Sequence, residues 1–129
     1  MKPARFALLF CCAALAAACS EITDPGLVSL AGCWNETGNV PGSSLVLQLS
    51  ESQKTIDGTG HFAIEAGPSG GLTVTGSRTG SQFELELFYD TGVHRSFLGI
   101  VLDPDHFDAY QRDEQQRLET TATPFQRCK

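Results

Sequence analysis

The chain has 129 residues, with 15 acidic and 9 basic side chains and a net charge of −6. That length allows one domain with a modest core, and the acidic balance argues against nucleic acid or anionic lipid as a partner. Thirteen glycines, dispersed aromatics and no sustained helical period point to short strands, so the expected class is all-β.

The chain opens on Lys2 and Arg5, followed by an apolar run over residues 6–18 and then Cys19. A spanning helix needs about 20 apolar residues, so this run is too short to cross a membrane and reads as a cleavable signal. Small side chains at Ala16, Ala17 and Ala18 suit signal-peptidase pockets. The stretch Leu15-Ala16-Ala17-Ala18-Cys19 resembles the lipobox of bacterial lipoproteins. That resemblance implies cleavage before Cys19 and acylation of its thiol, including by palmitate. The other reading is an ordinary secretory signal with an incidental cysteine. By the same resemblance, Ser20 lacks the retention signal that Asp would supply, so the expected address is the outer membrane of the bacterial envelope. The domain plan is a signal over 1–18, a lipidated tether over 19–29 with an Asp24-Pro25-Gly26 turn, and a barrel domain over 30–129. Loss of Lys2 and Arg5 leaves seven bases against 15 acids, or −8.

Of five cysteines, Cys11 and Cys12 leave with the signal and Cys19 is acylated. Cys33 and Cys128 remain in an oxidising compartment, which predicts a disulfide; free thiols or a metal pair are the alternatives. Closing a loop of nearly a hundred residues is worth up to about 4–5 kcal/mol in the chain-entropy model.

Eight strand-like segments follow, at 30–37, 44–50, 55–66, 71–77, 82–89, 93–102, 106–112 and 117–127, each bounded by glycine or polar turns. Leu45, Leu47 and Leu49 share one face of the second. Phe83, Leu85 and Leu87 share one face of the fifth, with Glu84 and Glu86 on the other. Gly58 and Gly60 suggest a bend in the third. Short links force antiparallel neighbours, and an eight-stranded meander avoids bare edges by closing into a barrel. A Cys33–Cys128 bridge requires the first and last strands to be neighbours. Residue parity then turns Trp34 and Arg127 to the other face, where Arg127 stacks over the indole or frays into solvent.

Gly32-Cys33-Trp34 in the first strand, with a late basic residue at Arg127, resembles the signature of calycin barrels, the lipocalins and avidin-like proteins. The meander is also similar to small bacterial lipoproteins with Gly/Ser/Thr-rich strands, as in Gly58-Thr59-Gly60, Thr75-Gly76-Ser77-Arg78-Thr79-Gly80 and Phe97-Leu98-Gly99. The resemblance implies a barrel and no particular ligand.

Several segments invite chemistry. Gly67-Pro68-Ser69-Gly70-Gly71 matches the G-x-S-x-G pattern of serine hydrolases, yet it lies between two strands and reads as a hairpin turn. Asp103, Asp105 and Asp108 are weak calcium candidates without an EF-hand loop, and an Asp-Pro turn accounts for them. His61, His94 and His106 have no metal-binding spacing. The segment 93–102 is apolar on both faces. Phe97, Gly99 and Val101 form the inward set. Leu98, Ile100 and Leu102 are either covered by the tether or exposed as a contact patch that Phe88 would extend.

The expectation is a non-enzymatic binding or interaction module, monomeric and without a cofactor or metal. Its partners are the membrane, through the lipid, and another envelope or secreted protein. The alternatives are an inhibitor of a lysozyme or protease, to which an acidic surface suits a basic enzyme, and a lipocalin-like carrier of an apolar ligand. Bulky inward residues (Trp34, Leu47, Phe62, Phe83, Leu85, Phe97, Phe125) predict a filled interior rather than a hollow one.

Overall fold

A computed structural model describes residues 24–38 and 42–129. The signal segment and Cys19 lie outside the described residues. The strands are β1 (Gly32–Glu36), β2 (Ser43–Ser52), β3 (Thr55–Ile64), β4 (Ser69–Thr79), β5 (Gln82–Tyr89), β6 (His94–Asp103), β7 (His106–Gln111) and β8 (Thr123–Arg127). Each pairs antiparallel with its chain neighbours, and β8 returns to β1, so the sheet is a closed eight-stranded barrel. Closure leaves no edge strand to attract other chains.

Alternation decides what lies inside. Leu45, Leu47 and Leu49 of β2, Leu72 and Val74 of β4, and Phe83, Leu85 and Leu87 of β5 all point inward and are buried. Trp34 and Phe107 are fully buried at the centre, their ring centroids 4.7 Å apart. Phe107 stacks on Phe125 at 4.7 Å and meets Phe83 edge-on at 5.0 Å. Phe83 reaches this position because β6 carries Gly99 opposite it. A Cβ at 99 would stand 2.1 Å from the Phe83 ring.

In a meander the connections alternate between the two ends. The β2–β3, β4–β5 and β6–β7 turns lie at one end, together with the start of β1 and the end of β8. The β1–β2, β3–β4, β5–β6 and β7–β8 connections lie at the other. The first end is covered. Residues 25–28, expected to belong to the tether, make a 3-10 turn at Pro25–Leu27 and send Val28 into the core at 7% exposure; Leu30, expected to open the first strand, precedes β1 and is buried at 0%. The turn lies against β6 and the β4–β5 turn; a Cβ added at Gly26 would stand 3.6 Å from the Gly80 backbone.

The last strand is shorter than the expected 117–127. Asp113 explains the difference, because its carboxylate accepts the amides of Gln115 and Arg117 at 2.9 Å each and bends the chain into a loop. Gln116 adopts φ 64° there, and strand pairing is limited to an isolated Arg112–Leu118 bridge until Thr123.

Candidate functional site

The covered end is held by two arginines. Arg78 projects inward from β4 and is 7% exposed. It donates to the carbonyls of Gly80 (2.7 Å), Pro25 (3.0 Å) and Val28, and pairs with Glu51 at 2.8 Å. Glu51 in turn accepts the Leu30 amide at 2.7 Å. The folded-back segment has no strand partner for these backbone groups, so Arg78 and Glu51 satisfy polar atoms that burial would otherwise penalise.

Arg127 is the second staple. It donates to the carbonyls of Pro104 (3.0 Å), Ala31 (2.8 Å) and Ser29 (2.9 Å), and its guanidinium lies 4.2 Å from the Trp34 ring centroid. Trp34 donates its indole N–H to Leu30 O at 2.8 Å. Gly32 makes room: its φ is 120°, and a Cβ there would lie 2.9 Å from the Arg127 Nη1. On the opposite face of the same strands, Cys33 and Cys128 form a disulfide with Cα atoms 5.3 Å apart. The Cys128 amide donates to Cys33 O at 2.9 Å, continuing the β1–β8 ladder.

Among the described residues, none covers the other end. A cavity of about 630 Å³ occupies the mouth, with apolar walls from Leu45, Phe62, Ile64 and Val93. Its volume falls within the range of small-molecule pockets. The expectation of a filled interior holds for the covered half only. The bulky inward side chains crowd toward Trp34, whereas the inward positions nearest the mouth on β1, β2 and β8 are Glu36, Ser43 and Thr123.

Arg95 is the cation inside this mouth. It points inward from β6, two residues before Phe97, and its guanidinium lies 5.0 Å from that ring centroid. Its Nε and Nη2 donate to Gln111 Oε1 at 3.2 and 2.5 Å, and its Nη1 donates to the Tyr89 hydroxyl at 3.3 Å. Tyr89 is itself braced edge-on against Phe62 at 5.2 Å. Among the described residues no carboxylate lies within ion-pairing distance of Arg95, although Glu36 and Glu119 line the same cavity.

Arg95, Tyr89 and Gln111 were not singled out from the sequence. The signal was present, since each continues an inward alternating set by two residues: Phe97 to Arg95, Leu87 to Tyr89, Ala109 to Gln111. Arg78 likewise continues Leu72 and Val74.

The remaining candidates lie outside the mouth cavity. Phe88 is 46% exposed and stacks on His94 at 4.7 Å, at the mouth end of β5. It does not extend the β6 patch, because Glu86, His94 and Ser96 intervene. Ser96 donates to Glu86 at 2.7 Å, and His94 pairs with the same carboxylate oxygen. Leu98 and Ile100 are half-buried, and Leu102 is exposed toward the covered end. Asp103 is engaged by its own turn. It accepts the Asp105 amide at 2.8 Å and sits 2.8 Å from His106 Nδ1. These contacts, the Asp105 amide first and His106 second, hold its carboxyl below the ordinary 3.8. Asp105 faces Arg127 at 3.7 Å, and Asp108 stands on β7 opposite Ile100 and Pro124. No group of three metal-ligating side chains occurs among the described residues. Ser69 begins β4 opposite Ala63, so the G-x-S-x-G stretch forms a strand–turn–strand and not a strand-to-helix elbow.

The described residues thus define a closed eight-stranded barrel, plugged by segment 24–31 at the end where β1 starts and β8 finishes and open at the other. Comparison with protein-family models, curated proteins and solved structures returns no match.

Proposed function

We propose that this chain is a non-enzymatic binding module of the bacterial cell envelope, anchored through an acylated Cys19, that takes a small molecule in the barrel mouth. The observation that carries the reading is the 630 Å³ cavity, lined by apolar walls and a braced inward arginine, at the end away from the anchor. Asp24 lies five positions after Cys19, a reach of at most about 18 Å, which keeps the plugged end against the bilayer and turns the mouth away from it. Several acyl chains on one residue give stable anchoring where a single chain would be marginal. The resemblance of Gly32-Cys33-Trp34 and Arg127 to the calycin pattern supports the same reading.

Native mass spectrometry of the full acylated chain, released from membranes in detergent, tests it. Extra mass in the native spectrum that vanishes on denaturation identifies the ligand. An empty barrel refutes small-molecule binding and shifts the case to a second reading, an inhibitor or partner of a basic protein. One observation favours that alternative: Glu36, Glu65, Asp90, Glu114 and Glu119 all lie toward the mouth and form no ion pair among the described residues. An acidic rim speeds encounter with a basic partner, and the on-rate then falls as salt rises.

A further inference from the structure

The mouth carries two opposite charges that do not meet. Arg95 stands on β6 and Glu36 on β1, three strands round the wall by way of β7 and β8. Both line the cavity, and neither forms an ion pair among the described residues. This contrasts with the plugged end, where Arg78 is matched by Glu51 at 2.8 Å.

Arg95 is also held with donors to spare. A guanidinium has five N–H groups in a planar fork. Gln111 takes one from Nε and one from Nη2, and Tyr89 takes one from Nη1. One N–H remains on each terminal nitrogen, so Arg95 keeps donors for a carboxylate. Glu36, half-buried, accepts no hydrogen bond from a described side chain. The same cavity has apolar lining at Leu45, Phe62 and Val93.

We propose that the mouth recognises a small apolar zwitterion, its carboxylate on the Arg95 fork and its ammonium facing Glu36, with a short apolar peptide as the simplest case. The proposal rests on the small-molecule reading above and specifies its ligand class. The acidic residues toward the mouth are consistent with it. They disfavour anions that lack a positive group, while a molecule carrying both charges is neutral overall and meets a complementary partner at each end.

The probes are the dipeptide Leu-Leu, its N-acetyl form, its C-terminal amide and the doubly capped form. Each is measured by equilibrium dialysis against the full acylated chain in nanodiscs, with empty nanodiscs as the blank. The free dipeptide is expected to bind at least ten-fold more tightly than either singly capped form. Arg95→Gln should reduce free-dipeptide binding to the level of the amide and leave amide binding unchanged, so the amide reports that the variant is folded. Glu36→Gln should lower free-dipeptide binding and leave the N-acetyl form unaffected. Thr123→Trp, which fills the mouth, should abolish all binding.

Equal binding of all four peptides, lost in Thr123→Trp, overturns the charge recognition and leaves the small-molecule reading standing. No dipeptide binding overturns the proposal outright. Whether the broader reading falls with it is decided by the native spectrum: a co-purifying ligand there preserves the reading, and an empty barrel ends it.

Discussion

Arg78→Met removes the staple of the plugged end with little change in side-chain length. The guanidinium makes three bonds to carbonyls and one to Glu51, and both side chains of the pair are largely buried, at 7% and 12% exposure. After the change, Glu51 keeps only the Leu30 amide, and the carbonyls of Pro25, Val28 and Gly80 lose a donor. Removing one partner of a buried pair costs about 3–5 kcal/mol. The 3-10 turn lies at the surface, and its loosening lets water reach the freed carbonyls, so the expected loss is about 3 kcal/mol, the lower end of that range. Arg78→Met/Glu51→Leu should lose less than the two single changes added together, with a coupling of about 1–3 kcal/mol. Urea unfolding followed by Trp34 fluorescence reads the stability, and amide exchange at Leu30 reads the plug. A variant within 1 kcal/mol of the parent (roughly the mean effect of any substitution) with unchanged Leu30 protection would refute the argument.

Four further outcomes are expected. Replacing both Cys33 and Cys128 by Ser frees a 95-residue separation, and denaturant unfolding should show a loss of 2 kcal/mol or more, against about 4.7 kcal/mol from the chain-entropy model. Arg127→Gln removes three carbonyl contacts and the contact with Trp34 and should cost about 1–2 kcal/mol; Arg127→Lys should not restore it, because an ammonium cannot hold the Ala31 and Ser29 carbonyls as a fork. Gly99→Ala drives a methyl into the Phe83 ring and should cost about 1–3 kcal/mol, with Phe83→Leu relieving part of the loss in the double variant. The folded Asp103 carboxyl should titrate below 3.8 by NMR. Its depressed value stabilises the β6–β7 turn above the unfolded pKa, and that contribution is lost as pH falls through the folded value; Asp103→Asn should remove this pH dependence.

Much of the barrel was legible in the chain because strand alternation and turn residues are local. Leu45-Leu47-Leu49 and Phe83-Leu85-Leu87 declare their inward faces with a period of two, and Gly or Asp-Pro marks the turns between strands. Closure followed from strand number and short links, and the pairing of two cysteines at opposite ends of the domain agreed with it. The eighth strand was misread over 117–122 because hydropathy there is neutral. Asp113 settles that stretch through side-chain bonds that a pattern of polar and apolar residues does not record.

The candidate site was less legible. Arg78 and Arg95 occupy equivalent positions in the pattern, each continuing an apolar inward set toward one end of the barrel. Alternation puts Arg95 on the inward face of its expected strand, whereas Arg78 falls just past the expected fourth strand at 71–77. Only the tertiary structure decided that Arg78 is buried under the folded-back segment 24–31 and matched by Glu51, while Arg95 opens into a cavity and forms no ion pair among the described residues. The physical reason is that alternation specifies a face, whereas burial and pairing depend on which end of the barrel the chain's own N-terminal segment comes back to cover.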